Sequence, residues 1–365
     1  MPDRPTDPPE FDWLYGRKKR STPPSPLPLP QVGGPGTIQP EPGPVKKRRR
    51  PPYGRIVLLL LIAWVAYLIA VPTIAWKKVD QVNAFGAGQL ADQPGTTYLL
   101  VGSDSRKGLT AKQKRKLGAG GVSVDSGRTD TIMLLHTGDG PPLLLSIPRD
   151  SIVPIPGHGT TKINAAFAYG GPKLLVRTIE QNTGVRIDHY VEIGFGGFVG
   201  AVDAVGGIQI CPTKRMVDRR ANLKIKRGCQ EVDGITALGY ARSRHTDPAL
   251  GDITRAKHQR EVVSAIGDRV KSPWTVLNPF RYKSVIDAAT TSLRVSKDTS
   301  VLAMASFARA MTKVNGTDGL TCSMPIRDLA VHWDTQRALA LMRLIKTDRT
   351  QDIPKRLCRP TGLNP

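Results

Sequence analysis

Cysteine and histidine are scarce in this 365-residue chain, which has four of the first and six of the second. No two cysteines form a C-x-x-C pair, so a zinc or dithiol redox site is disfavoured. His158, His189 and His245 lack the spacing of metal-binding histidines, and no Ser/His/Asp or Cys/His arrangement is evident. The sequence therefore argues against a zinc centre and against an enzyme that works through a covalent intermediate.

Acidic residues are also few, since 30 Asp and Glu stand against 53 Lys and Arg for a formal net charge of +23. Such an excess indicates an anionic partner: nucleic acid, lipid head groups or an acidic polymer. Residues 1–55 hold only 11 of the basic residues and 5 of the acidic ones, so most of the excess lies after them. If that later part is outside the cell, nucleic acid is excluded, and we expect no nucleic-acid partner.

Residues 1–55 have few apolar side chains and are rich in proline, glycine and charge. Such a segment cannot bury enough apolar area to fold, and its clustered prolines favour extended conformations. It contains the basic run Lys46–Arg50. A nucleic-acid-binding run is one interpretation, but the apolar stretch that follows favours a membrane surface. We expect a disordered basic tail.

Only one stretch, Ile56–Ala75, is long and apolar enough to cross a bilayer. Its roughly 20 uncharged residues match the ~30 Å of hydrocarbon in a membrane. Basic residues are denser before the stretch than after it, which predicts a cytoplasmic N-terminus and an external remainder. A cleaved signal peptide is disfavoured because the stretch begins so far into the chain. The sequence predicts a single-pass type II protein of the cell membrane.

All four cysteines follow the apolar stretch. An even number of cysteines in an exported domain suggests disulfides. We expect Cys211 to pair with Cys229 and Cys322 with Cys358, because each pair closes a local loop. Four buried free thiols are the alternative, which a cytosolic location would favour.

The part after the apolar stretch alternates strand-like and helix-like patterns, which predicts an α/β layered domain. Residues 107–127 are polar and glycine-rich, and we expect a mobile loop there. The predicted strands are Thr97–Gly102, Thr131–His136, Leu143–Ile147, Tyr190–Phe195 and Ile208–Cys211. The predicted helices are Pro172–Asn182, Phe198–Val205, Asp252–Val270, Val301–Val314 and Thr335–Lys346.

Arginine and aspartate occur together at the ends of three predicted strands. Charges next to apolar strands are costly unless something compensates them. Ligand sites of open α/β sheets lie beyond the carboxyl ends of strands, and antiparallel pairing would bring the start of the second strand to the same edge. The alternative is that each pair is a local salt bridge that closes a turn. The pairs are Asp104 with Arg106, Arg128 with Asp130, and Arg149 with Asp150.

Arg242 and Arg244 alternate, so in an extended segment both side chains lie on one face. Two guanidinium groups so placed repel each other unless an anion lies between them, and diphosphate suits their planar forks. A basic, solvated strand edge is the alternative interpretation.

Further polar residues could complete the same site. Arg255 and Gln259 are four apart on a predicted helix and share a face, although an ordinary hydrated helix face is the alternative. Asp252 precedes that helix and is expected to be its N-cap. Lys162 and Asn164 could bind phosphate or sugar hydroxyls, and a turn role for Asn164 is equally plausible.

Magnesium requires only one or two carboxylates when substrate phosphates supply the remaining ligands. We expect Mg²⁺ (or Mn²⁺), with Asp104 and Asp130 as its protein ligands.

These motifs, in this order and spacing, resemble the LytR-CpsA-Psr family of cell-envelope ligases over about Thr97–Val270. Each motif alone is weak, and the specificity comes from their combination. They are Val101–Arg106, Gly127–Thr131, Leu145–Asp150, Lys162–Ala166, Tyr240–Arg244, Gly251–Ala256 and Gln259–Arg260.

The resemblance implies transfer of a glycopolymer from a polyprenyl diphosphate carrier to peptidoglycan through a phosphodiester bond. It implies an α/β/α sandwich with a central mixed sheet. It also implies an apolar pocket, whose walls could include Ile193–Ile210. An ordinary hydrophobic core is an equally good interpretation of that segment. By position, Asp104 and Asp130 would hold the metal, Lys162 and Gln259 would support the site, and Asp150 or Asp252 would assist the acceptor hydroxyl. The diphosphate would be bound by Arg106, Arg128, Arg149, Arg242, Arg244 and Arg255.

The proline-rich tail, the composition and the two expected disulfides are similar to those of an actinobacterial family member, for which the donor polymer would be arabinogalactan. The implied partners are the lipid-linked glycopolymer, peptidoglycan and the bilayer. A diphosphatase and a non-catalytic binder of an anionic envelope polymer are the alternatives.

The implied divisions of the chain are a cytoplasmic tail at 1–55, a transmembrane helix at 56–76, a linker at 77–95, a catalytic domain at 96–272 and a helical completion of the external domain at 273–365.

Overall fold

The structure is a computed structural model. It describes residues 53–105, 111–116, 129–243, 251–270, 272–314 and 318–363, without the side chains at 114, 251–253 and 256. The predicted tail and most of the predicted mobile loop therefore lie outside the described residues.

The helices include one apolar helix at the start of the described chain and several shorter ones that cover the domain. The first is long and apolar enough to cross a membrane. The helices are α1 (Tyr53–Trp76), α2 (Ala111–Lys116), α3 (Asn164–Thr183), α4 (Phe195–Ala204), α5 (Gly234–Arg242), α6 (Gly251–Val270), α7 (Pro273–Leu277), α8 (Pro279–Ser292), α9 (Val301–Met311) and α10 (Thr335–Lys346).

The strands form one large sheet and three two-stranded pairs. The strands are β1 (Asp80–Val82), β2 (Thr96–Ser103), β3 (Thr129–Thr137), β4 (Leu143–Ile147), β5 (Ile152–Ile155), β6 (Gly159–Lys162), β7 (His189–Gly194), β8 (Ile208–Ile210), β9 (Met216–Asp218), β10 (Leu223–Ile225), β11 (Gln230–Val232), β12 (Leu293–Ser296) and β13 (Leu320–Ser323).

The large sheet has seven strands in the order β1-β12-β7-β2-β3-β4-β13. Strand β3 is antiparallel to β2 and to β4, and β7 is antiparallel to β12. The pairs β2/β7, β4/β13 and β1/β12 are parallel. The expectation of a mixed central sheet is thus confirmed.

Alternating side chains of the central strands fill two separate cores, because successive residues of a strand point to opposite faces. Leu99 and Val101 of β2 pack with α3 and α10 on one face. Tyr98 of β2 packs with α9 on the other, where Leu100 also lies. Helices on both faces of the sheet make the α/β/α sandwich that the resemblance implied.

The segment Ile193–Ile210 forms the end of β7, all of α4 and β8. Val202, Val205, Ile208 and Ile210 are buried in a third core together with residues of α5 and α6. In the described structure these side chains are packed core, which was the alternative to a tunnel wall.

Two predicted elements differ from the structure for local reasons. The helix predicted at Pro172–Asn182 is the second half of α3, because Gly170 and Gly171 have non-helical dihedrals that kink it there. The residues after 272 supply β12 and β13 as well as helices, so the expected completion is not purely helical. Each of these strands has four residues, too few for a clear period-two pattern. The domain divisions themselves stay a prediction.

Both expected disulfides are present: Cys211 is bonded to Cys229 and Cys322 to Cys358. The first ties the segment after β8 to the segment before β11. The second ties β13 to the C-terminal segment. No cysteine of the chain is left free.

The two disulfides should stabilise the fold unequally. They close loops with sequence separations of 18 and 36 residues, for which chain entropy predicts about 3 and about 4 kcal/mol. Replacing Cys322 and Cys358 by Ser should therefore lower the free energy of unfolding more than replacing Cys211 and Cys229. Denaturant titrations of the two variants measure this difference. Thiol titration of the unreduced protein should detect no free thiol. Detection of four reactive thiols would contradict both pairings.

Candidate functional site

The antiparallel order of β2, β3 and β4 brings three acidic groups to one edge of the sheet. Ser103 at the end of β2 pairs with Thr129 at the start of β3, and Ile132 of β3 pairs with Ile147 at the end of β4. Asp104, Asp130 and the dipeptide Arg149-Asp150 therefore share that edge. The second strand is antiparallel to the first, which was the condition for these residues to share one edge.

Asp130 is the centre of the charged cluster at this edge. Its carboxylate accepts a hydrogen bond from Nη1 of Arg149. Nη1 of Arg255, a residue only 4% exposed, lies 3.9 Å from the same oxygen. Burial raises the pKa of Asp130, but Arg149 and Arg255 outweigh that effect, and the pKa is lowered overall. Asp130 is therefore the member of the cluster that stays ionised.

Asp104 shares a hydrogen bond with Asp130, and its pKa is shifted the other way. Burial and the neighbouring Asp130 charge raise the pKa of the Asp104 carboxyl to about 7, against the smaller opposing effects of Arg242 and Arg149. Two carboxyl groups this close disfavour the doubly ionised state. The Asp104 carboxyl is therefore the more weakly acidic member of the pair.

Arg242 also acts on the cluster, because its charge lowers the pKa of Asp104 against the larger opposing effects. It is the last residue of α5, and its guanidinium carbon lies 4.9 Å from the centre of the Phe195 ring. Phe195 begins α4 directly after β7, and its backbone N–H donates to the carbonyl of Ser105 at 2.9 Å. Gly194 makes this possible, because a side chain there would meet Ser105. Arginine over an aromatic face is a favourable pairing.

Phe195 was not among the predicted site residues. The signal that identified the charged residues, a position directly after a strand, also applies to Phe195, because Phe195 directly follows β7, which runs parallel to β2. An aromatic residue at that position was assigned to the strand instead.

Buried polar contacts hold the end of α5 and thus Arg242. The hydroxyl of Ser243 donates to the buried carboxylate of Asp218 at 3.2 Å. The hydroxyl of Tyr240 donates to Glu261 of α6 at 2.5 Å, and the ring of Tyr240 packs on that of His258. These contacts join α5 to α6, and no sequence motif indicated them.

On the Arg149 side, Asp150 connects two cations. Its carboxylate lies 2.8 Å from Nζ of Lys162 and 3.4 Å from Nε of Arg149. The backbone N–H of Asn164 donates to the carbonyl of Arg149 at 3.2 Å, which ties the start of α3 to this turn. Arg149 and Asp150 do form a local pair, as the alternative interpretation held, but Arg149 also reaches Asp130.

The side of helix α6 that carries Arg255 and Gln259 is not an ordinary hydrated surface. Arg255, His258 and Arg260 are all buried, and Gln259 lines a small cavity with Asp130, Arg149, Asp150 and Arg255. Arg260 donates to the carbonyl of Pro360 at 2.8 Å, and burial lowers its pKa to about 10. Arg255 and Gln259 therefore share the site, as the four-residue spacing predicted.

The described helix begins at Gly251, so Asp252 lies in its first turn rather than before it as an N-cap. Its side chain is outside the described part. Arg106, Arg128 and Arg244 also lie outside the described residues, and their predicted roles stay predictions.

A wider cavity lies away from this edge and is lined by residues such as Val153, Asn182, His332, Trp333 and Met342. None of the predicted site residues lines it. The charged cluster at the sheet edge is the better candidate site because it combines buried charge with shifted pKa values.

The donor set at the edge suits a divalent cation that also binds substrate phosphates. Within the described ranges no three His, Cys, Asp or Glu side chains are grouped as a metal cage. Magnesium, however, takes only one or two carboxylates in phosphate sites. Burial first, and the Asp130 charge second, disfavour the ionised form of Asp104, and these two carboxyl groups are the ones that would hold such a cation.

A family model described as the LytR_cpsA_psr family matches residues 70–340. The chain belongs to this family. The resemblance drawn from the motifs is confirmed, and the matched range extends beyond them to α10.

Among relatives, the chain is 46% identical over 292 residues to the "Probable cell wall biosynthesis protein LcpB" of Corynebacterium glutamicum, covering 77% of this chain and 70% of that protein. It is 32% identical over 228 residues to the "Polyisoprenyl-teichoic acid–peptidoglycan teichoic acid transferase TagT" of Bacillus subtilis, covering 60% of this chain and 64% of TagT. The similarity to LcpB agrees with the actinobacterial character expected from composition.

Among solved structures, the "LytR-Csp2A-Psr enzyme from Actinomyces oris" superposes with a TM-score of 0.60. The sequences are 18% identical, and the match covers 73% of this chain and 96% of that one. At this identity the likeness establishes the fold.

The raised pKa of Asp104 predicts that its charge destabilises the fold. The unfolded carboxyl ionises near its ordinary value, whereas the folded one ionises at about 7, so stability falls as pH rises between these two values. Asp104→Asn should therefore raise the free energy of unfolding at pH 8 more than at pH 4. Denaturant titrations at both values measure this effect.

Asp150→Asn is the matched control, because it removes the ion pairs with Lys162 and Arg149. It should lower stability at pH 8. If Asp104→Asn were also destabilising at pH 8, the assigned repulsion would be wrong.

Proposed function

We propose that this chain is a membrane-anchored phosphotransferase that attaches a polyprenyl-diphosphate-linked glycopolymer to peptidoglycan through a phosphodiester bond. The observation that carries the proposal is the cluster of Asp104 and Asp130 with Arg149, Arg242 and Arg255 at one sheet edge. Phosphoryl transfer depends on positioning and charge neutralisation more than on covalent chemistry by the protein. This cluster can supply both.

Family membership and the printed names of the relatives support the same activity. LcpB is named for cell wall biosynthesis, and TagT for transfer of teichoic acid from a polyisoprenyl carrier to peptidoglycan. A diphosphate-linked polymer suits the arginines, which bind phosphate oxygens through paired N–H groups. For the donor we propose arabinogalactan, by analogy with the actinobacterial character of the chain.

In the proposed reaction a hydroxyl oxygen of muramic acid attacks the phosphorus that carries the glycopolymer. A new phosphodiester bond forms, the bond to the bridging oxygen breaks, and polyprenyl phosphate leaves. Arg149, Arg242 and Arg255 bind and neutralise the diphosphate, and Asp150 or Asp252 accepts the hydroxyl proton. The ring of Phe195 orients Arg242. Asp104 and Asp130 would hold the proposed Mg²⁺, which would supply positive charge next to the phosphates.

Helix α1 would hold this site beside the membrane where the lipid-linked donor lies. We propose the type II topology, with residues before α1 in the cytoplasm and the sheet outside the cell. The denser basic residues before the apolar stretch support this orientation.

A reconstitution assay separates the proposed transferase from the two alternative functions. Full-length protein in vesicles is supplied with lipid-linked glycopolymer, Mg²⁺ and peptidoglycan, and product is measured as polymer bound to the glycan. We expect attachment that EDTA abolishes and Mg²⁺ restores, and that Asp104→Ala lowers by orders of magnitude.

Omission of peptidoglycan is the control. Release of polyprenyl phosphate that continues at the same rate without an acceptor would indicate a diphosphatase. Binding of the donor without any attachment would indicate a non-catalytic binder.

The contact of Arg242 with Phe195 gives a second, finer prediction. Phe195→Leu keeps an apolar side chain but removes the aromatic face under the guanidinium, a loss of about 0.5–1 kcal/mol. Donor binding should weaken a few-fold. Phe198→Leu, in the same helix and half-buried against the third core, is the control and should leave donor affinity unchanged. Equal donor affinities of the two variants would contradict a role for Phe195.

A further inference from the structure

Helices α7 and α8 begin with a cluster of large apolar side chains on the protein surface. Trp274, Val276, Leu277 and Phe280 are 59%, 41%, 63% and 85% exposed. We call these four residues the α7–α8 patch. Apolar side chains concentrated in this way mark a surface that another apolar phase covers.

The patch is continuous with helix α1. The hydroxyl of Tyr67 in α1 donates to the carbonyl of Pro279 at 2.8 Å, and the hydroxyl of Tyr282 in α8 donates to the carbonyl of Leu68 at 2.7 Å. The two tyrosine rings lie 6.1 Å apart. The start of α8 is therefore attached to the middle of an apolar helix rather than to its end.

The C-terminal half of α1 has one side on the protein and one side open. Residues spaced three and four apart along one side of the helix are half-buried or buried. They are Trp64, Tyr67, Leu68, Val71, Pro72 and Ala75.

The opposite side of this half of α1 carries Val65, Ile69 and Ile74, which are exposed. The open side is thus as apolar as a lipid-facing surface must be. The α7–α8 patch and this open side belong to the same depth of the membrane.

The position of the contacts along α1 gives that depth. Tyr67 precedes Ala75, the last residue of the apolar stretch, by eight positions, which corresponds to about 12 Å at 1.5 Å per residue. The hydrocarbon layer is ~30 Å thick, so the contacts lie well inside one half of it. From there α8 runs to β12, whose Arg294 pairs with Asp80 just after α1.

Several polar groups at this turn are satisfied within the protein, as a hydrocarbon environment favours, while Nε of Arg281 is buried without a hydrogen-bond partner among the described residues. Pro273 and Pro279 begin their helices without an N–H to satisfy. The side chain of Asn278 accepts from the N–H groups of Phe280 and Arg281, each at 3.0 Å. The guanidinium of Arg281 turns inward and donates to the carbonyl of Val205.

A charged side chain of α8, that of Lys283, also lies close to the turn. Lys283 is paired with Asp287 one helical turn further along α8. A lysine in this position can extend its amine towards the head groups while its stem stays in an apolar layer.

We propose that the α7–α8 patch inserts into the outer leaflet of the bilayer that α1 spans. The inference rests on the proposed membrane anchoring and adds a second attachment to it. Helix α8 packs closely on α4, where Gly197 leaves no room for a side chain against the carbonyl of Ser292. Since α4 begins at Phe195 under Arg242, the inserted patch sets the orientation of the site towards the lipid surface.

Site-specific fluorescence in proteoliposomes tests the insertion. All native cysteines are paired, so Phe280→Cys provides a single thiol for an environment-sensitive nitrobenzoxadiazole label on the full-length protein. We expect blue-shifted emission, and quenching by phospholipids with doxyl groups on their acyl chains. Leu277→Cys at a second exposed patch position should give the same result.

Leu302→Cys is the matched control. Leu302 is 79% exposed, close to the value for Phe280, but it follows the end of β12, which runs parallel to β1 away from α1. Its label should be quenched severalfold less. Equal, weak quenching at positions 277, 280 and 302 in protein that floats with the vesicles would overturn the insertion and leave the anchor intact. Protein that does not float with vesicles would overturn the anchor and the insertion together.

Discussion

The close approach of the buried carboxyl groups of Asp104 and Asp130 is the constraint on which the rest of the site depends. The sheet register fixes the two groups side by side, and Arg149 and Arg255 lower the pKa of Asp130, whereas burial and the Asp130 charge raise that of Asp104. The pair is consequently unequal, with one carboxylate well compensated and the other ionising at about 7. Such a pair suits the proposed cation, and the arginines around it suit phosphates.

Rigid support of the cluster comes from parts of the chain that carry no reacting group. Asp218 and Glu261 hold the end of α5 through hydroxyl contacts. Arg260 ties α6 to the C-terminal segment. Each of these residues is charged or polar and in contact with a specific partner, so a change there would displace Arg242 or Arg255 without touching a substrate.

Sequence reasoning found the charged cluster because strand ends and four-residue helix spacing are local patterns. It placed Asp104, Asp130 and Arg149 at one edge of the sheet and Arg255 on the helix face that meets them, as the structure has them. It missed Phe195 and the buried role of Arg260, because both depend on which distant segments pack together. The short strands β12 and β13 were also not predicted. Four residues show little periodicity, and the pairing of these strands depends on the whole sheet.

The interleaved strand order has a consequence for how the chain is made. The described members of the cluster lie between Asp104 and Gln259, yet β12 and β13, which pair with β7 and β4, come after residue 292. Until those strands emerge, two sheet edges stay uncovered, and such edges invite pairing with other chains. Synthesis must therefore run nearly to completion before both edges of the sheet are covered.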